Sequence, residues 1–118
     1  MEERRRMVRL RTAADVTYTR LPDGVPQPGR TGDVSLGGCC LSTEAAAPIG
    51  AQFQISLRVP GREQPVNAVA DVAWSQAYQV TEKSSQRRAA DVGLRFVEIA
   101  PTDFEALEKF VAGSLRAL

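Results

Sequence analysis

The 118 residues carry 15 lysines and arginines against 14 aspartates and glutamates, a formal net charge of +1, with 43% hydrophobic residues, two cysteines and no histidine. This balance describes one domain large enough to bury about two-thirds of its unfolded surface, and it argues against both a disordered tail and a generally basic, polyanion-coating protein. Without histidine the chain lacks the commonest general base and transition-metal ligand, which weighs against enzymatic and metal-binding readings, and no catalytic residue, metal or cofactor is assigned.

Charge is nevertheless concentrated at the start. MEERRRMVRLR holds Arg4, Arg5, Arg6, Arg9 and Arg11 against Glu2 and Glu3, leaving +3 there and −2 over the remainder. Residues 1–12 are set apart as an arginine-rich N-terminal arm. No stretch approaches the 18 consecutive apolar residues of a membrane span, and charge follows Met1 at once, so no membrane insertion and a cytoplasmic location are expected.

Residues 13–100 carry strand signals. Ala14, Val16 and Tyr18 alternate with Asp15, Thr17 and Thr19, the period-2 pattern of a half-buried strand. PDGVPQPG (22–29) supplies turn chemistry for a hairpin, RTGDVS (30–35) forms the returning strand, and Gly37 and Gly38 interrupt it before CCLST. Neighbouring residues of a strand point to opposite faces, so Cys39 and Cys40 are free thiols, one buried and one outward. Phe53, Ile55, Leu57 and Val59 mark the clearest strand. After a connection at 60–65, Val66, Ala68, Ala70, Val72 and Trp74 continue the alternation. QVTEKSSQRR (79–88) has the composition of a mobile polar loop, and Val92, Leu94 and Phe96 mark a last strand.

Residues 101–118 differ in kind. Thr102 and Glu105 form a capping-box pattern, and Phe104, Leu107, Phe110, Val111, Leu115 and Leu118 recur at helical spacing. About six strands and one amphipathic helix predict an all-β domain, a small antiparallel barrel with the helix packed on it. Covering the barrel is the helix's expected role, with a partner surface as the alternative.

Two short patterns carry the chemistry. On an extended strand Asp33 and Ser35 leave the same face, while Gly37 and Gly38 permit positive φ and close approach of a ligand to bare backbone. Arginine supplies planar forks for phosphate and for the O6/N7 edge of guanine, and Asp33 can accept from the opposite guanine edge. The complementary ligand is an anionic, guanine-bearing nucleotide.

With RRMVR (Arg5 to Arg9) followed 24 positions later by DVSLGG (Asp33 to Gly38), the sequence resembles the PilZ family. Those bacterial domains bind cyclic di-GMP through RxxxR and (D/N)xSxxG motifs; Arg5 and Arg9 match the first, and Asp33, Ser35 and Gly38 the second. VAW (72–74), VGLRF (92–96) and the terminal helix extend the resemblance over nearly the whole chain. It implies a six-stranded antiparallel PilZ-type β-barrel, no catalytic activity, and a flexible N-terminal arm that wraps ligand against the DxSxxG segment. An arginine before the first motif, here Arg4, accompanies binding of an intercalated ligand pair in the family.

The expected ligand-binding residues are Arg4, Arg5, Arg9, Asp33, Ser35, Gly37, Gly38 and Trp74. For Trp74, core packing by alternation and guanine stacking from a rim position both stay open. The expected function is a stand-alone cyclic di-GMP receptor, a monomer or weak dimer, that relays the signal to a protein partner by ordering its arm. One alternative is a ligand-free adaptor module. Another is a nucleic-acid-binding barrel, which the arm's lack of aromatic residues argues against.

Overall fold

The structure is a computed structural model in which residues 9–83 and 85–116 are described, side chains through Ser114. Arg4, Arg5, Arg6 and Leu118 lie outside the described residues, as does the side chain of Leu115. Seven strands and one helix follow in order: β1 (Leu10–Arg11), β2 (Asp15–Arg20), β3 (Gln27–Val34), β4 (Gly38–Thr43), β5 (Gln52–Leu57), β6 (Val66–Glu82), β7 (Ser85–Ile99) and α1 (Pro101–Arg116).

All pairings are antiparallel. β3, β2, β5, β6, β7 and β4 pair in sequence and β4 returns to β3, so six strands close a barrel; β1 adds to β3. Alternation places every second side chain inside. Val16, Val34, Leu41, Ile55, Leu57, Val66, Ala70, Val72, Val92 and Leu94 fill the core. Each buried branched side chain of this kind is worth roughly 1.5–3 kcal/mol relative to exposure. Cys39 is buried, Cys40 half-buried, and both are free thiols, as the adjacent spacing requires.

The helix starts two residues before the capping-box reading, which would make Asp103 the first helical residue. Pro101 occupies its first turn, where a missing N–H costs nothing, and the Ala100 carbonyl accepts the first intrahelical bond from Phe104 N at 2.9 Å. Leu107 is fully buried and Val111 nearly so, with Ala106 and Phe110 against the same core. The helix therefore covers the barrel, packing on β6 and on β1.

Residues 79–88 are not a loop. β6 and β7 run to Glu82 and Ser85 as a long two-stranded ribbon. Outside the barrel no side chain must be buried, so a polar composition is compatible with a strand there.

Candidate functional site

The end of the arm is tied to the strand that carries the second motif. Leu10 pairs with Val34 and Arg11 with Asp33, while β2 pairs with Gln27 to Arg30 further along β3. β1 and β2 thus follow one another along β3, and Thr31 bridges the gap between them. Its buried hydroxyl donates to the Thr12 carbonyl at 2.6 Å and accepts from Ala14 N–H at 2.9 Å, while Thr31 N–H donates to the Ala14 carbonyl at 3.0 Å. Arg30 Nη2 adds a bond to the Ala13 carbonyl at 3.1 Å.

This rail brings the two motifs together. Arg9 Nη1 donates to Asp33 Oδ1 at 2.9 Å, with the arginine side chain 60% and the aspartate side chain 26% exposed. Asp33 Oδ2 has no hydrogen-bond partner among the described residues. A charge-assisted pair of guanidinium and carboxylate makes a polar surface of both signs.

Ser35 and the glycines contribute differently from the sequence expectation. β3 ends at Val34, and Ser35 is buried in the β3–β4 turn. Its Oγ accepts from Gly37 N–H at 3.2 Å and donates to the Gly38 carbonyl at 3.3 Å, so it does not share an exposed face with Asp33. The glycines with positive φ among the described residues are Gly50 and Gly61, not Gly37 or Gly38. Gly38 is needed for packing: a Cβ there would overlap the Leu94 backbone carbonyl on β7. Gly37 contributes its carbonyl to Phe96 N at 2.8 Å. The turn is bonded through Ser35, Gly37 and Gly38 directly after the strand that carries Asp33.

Trp74 is at the surface, 42% exposed, rather than in the core. A bulge between Val72 and Trp74 breaks the alternation of β6 and sets the indole opposite Gly93. There it lies over bare backbone, since a Cβ on Gly93 would collide with the indole. The registers connect these residues across the outer wall: Arg11 to Asp33, Asp33 to Cys40, Cys40 to Gly93, Gly93 to Trp74. Residues directly opposite share a face, and strands lie about 4.8 Å apart, so Asp33 and Trp74 stand about 14 Å apart along one transverse row.

Cys40 forms the low middle of this row, and Gly93 lies beneath the indole. The Cys40 thiol is pushed up by burial and by the nearby Asp33 and Asp91 carboxylates, against a downward pull from Arg9. It is a neutral floor rather than a nucleophile. Next to the row, Arg95 faces Gly38 and pairs with Asp71 at 3.6 Å. Of the expected site residues, Arg9, Asp33 and Trp74 therefore share an exposed wall, Ser35, Gly37 and Gly38 build the turn beside it, and Arg4 and Arg5 lie outside the described residues. Thr31, Cys40, Gly93 and Arg95 were missed, because their roles arise from register between strands distant in sequence. A separate cavity of about 700 Å³ at the barrel mouth is lined by Tyr18, Phe53, Tyr78 and Arg87 among others, and by none of the wall residues.

The PilZ domain family model matches residues 3–113. The chain belongs to the PilZ domain family. Among solved structures, the PilZ domain of YcgR from Escherichia coli with c-di-GMP is 24% identical, with TM-score 0.71, over 97% of this chain and 93% of that one. Bacillus subtilis inhibitor of motility (MotI/DgrA) is 20% identical with TM-score 0.66 over 93% of this chain and 51% of that one. The K. pneumonia MrkH–c-di-GMP complex is 18% identical with TM-score 0.70 over 93% and 51%. This PilZ domain spans about half the length of the latter two. At these identities the likeness is one of fold. No curated protein matches the sequence. Among the described residues no helix is long and apolar enough to cross a membrane, and no cluster of cysteines and carboxylates could hold a metal.

Proposed function

We propose that this PilZ domain is a receptor for cyclic di-GMP, without catalytic activity, that holds the ligand between the N-terminal arginines and the Asp33–Trp74 wall. The observation that carries the reading is the 2.9 Å bond from Arg9 to Asp33, which puts the only described arginine of the first motif against the acid of the second. The family and the c-di-GMP-containing PilZ structure of similar fold support the choice of ligand.

Each wall residue has a task suited to its chemistry. Arg9, held at one Nη by Asp33, directs its remaining donors at a phosphate or at guanine O6/N7. Asp33 Oδ2 accepts from guanine N1–H and the exocyclic amine. Cys40 leaves room for the ligand to lie flat, Gly93 seats the indole, and the Trp74 ring offers a stacking face at the far end, worth about 1–3 kcal/mol per base. Arg4 and Arg5 close over the ligand from the arm, with Arg4 favouring a pair of ligand molecules.

Relay follows from the arm's root. β1 touches α1, so ordering of the arm by ligand would change the surface beside β1 and the helix, the surface a protein partner would read. Calorimetric titration with cyclic di-GMP tests the reading. Wild type binds in the micromolar range or tighter, and Arg9→Ala and Asp33→Ala each weaken binding more than tenfold, a loss above about 1.4 kcal/mol. Absence of binding by wild type would refute the function, and equal binding by all three would refute the site.

A further inference from the structure

β6 and β7 outrun the strands beside them. β5 pairs with β6 only as far as Asp71, and β4 pairs with β7 only from Ala90 onward. The covered edge of β6 ends where Val72 exchanges bonds with Gly50 N and the Ala51 carbonyl. Beyond it, Ala47 N reaches only the Ser75 side chain. Among the described residues, the backbone of Trp74 to Thr81 has no partner on the side away from β7.

The two edges of this ribbon are guarded unequally. The β7 edge carries Arg87 and Arg88, charges of the kind that deter strand pairing. The β6 edge, AWSQAYQVT from Ala73 to Thr81, carries no charge, and its Trp74 and Tyr78 are each 42% exposed. Long, uncharged, exposed edges with aromatic and β-branched residues are templates for another strand.

We propose that this edge pairs antiparallel with the same edge of a second copy, joining two ribbons into a four-stranded sheet across a two-fold axis at Ala77. The pattern about that axis favours a second copy over a foreign strand. Trp74 faces the partner's Val80 and Gln76 faces the partner's Tyr78, each contact occurring twice, with Ser75 opposite the partner's Gln79. Aromatic and β-branched residues directly opposite are favourable cross-strand pairs, and no charge opposes a like charge within the nine residues. One ribbon edge buries little area, so the dimer belongs to the weak, micromolar class.

Sedimentation of nucleotide-free protein over a concentration series tests this. Wild type moves from monomer to dimer mass. Ala77→Lys and Ala77→Glu, exposed changes checked for folding by thermal melt, each weaken self-association at least tenfold, and an equimolar mixture of the two regains dimer mass. Gln76→Lys, on the other face of the strand, gives the same loss if either Ala77 variant melts early. A wild type that stays monomeric at millimolar concentration, a dimer unaffected by these charges, or a mixture that stays monomeric would each overturn the proposal.

Discussion

Trp74 lies against Gly93, its register partner on β7, in a space that exists only because Gly93 has no side chain. The bulge after Val72 turns the indole out of the core, and the glycine gives it a backbone floor to rest on. The chain contains no other tryptophan, so its fluorescence reports on this one place. Cyclic di-GMP is expected to quench or shift that emission saturably. Gly93→Ala, by displacing the ring, and Trp74→Ala, by removing it, should each weaken binding by about 1–3 kcal/mol, roughly five- to a hundredfold. Unchanged affinity in both variants would remove the indole from the site.

Thr31 touches no ligand in this account, yet it holds the arm's root at both Thr12 and Ala14. Thr31→Val keeps the shape and orphans a carbonyl and an N–H. The expected cost is about 1–3 kcal/mol of stability by urea unfolding, with weakened ligand binding. Thr31→Ser, which keeps the hydroxyl, should restore affinity; a valine variant that binds like wild type would show that the rail does not position the arm.

Gly38 separates a packing glycine from a ligand-approach glycine. Gly38→Ala drives a methyl into the Leu94 carbonyl, a backbone atom that cannot rotate away, and should destabilise by about 1–3 kcal/mol. Gly32→Ala, where a Cβ meets nothing within 4 Å, should stay within about 0.5 kcal/mol of wild type. Equal melting temperatures for the two variants would contradict the packing role.

Burial, followed by the adjacent Cys40 and Asp33, pushes the Cys39 thiol from 9.0 up to about 12, with Arg9 acting in the opposite direction. Between those values the unfolded chain releases a proton that the folded chain retains, so stability falls as pH rises through this window. Urea midpoints of wild type should drop more steeply from about pH 9 to about pH 11 than those of Cys39→Ala, which lacks the group. Parallel profiles would mean that the thiol is not held neutral by the fold.

Much of the barrel is legible because alternation and burial are the same physical fact: Phe53, Ile55, Leu57, Val66, Ala68, Ala70 and Val72 are all buried as their spacing requires. Alternation misleads at Ser35, which lies just past the end of β3, and at Trp74, where a bulge adds one residue that no local pattern announces. The β6–β7 ribbon is illegible for a different reason, since strands that bury neither face need not alternate. Asp33 and Arg9 are legible as chemistry suited to one ligand. That Gly38 acts by packing depends on the closeness of Leu94, 56 residues away in the chain.

The most direct test is to titrate isotopically labelled protein with cyclic di-GMP and map amide and indole N–H chemical shifts. Saturable changes concentrated at Arg9, Asp33, Cys40, Gly93 and the Trp74 indole are expected, with Tyr18, Phe53 and Tyr78 of the mouth cavity little moved. Changes confined to that cavity, with the Asp33–Trp74 wall silent, would contradict the account.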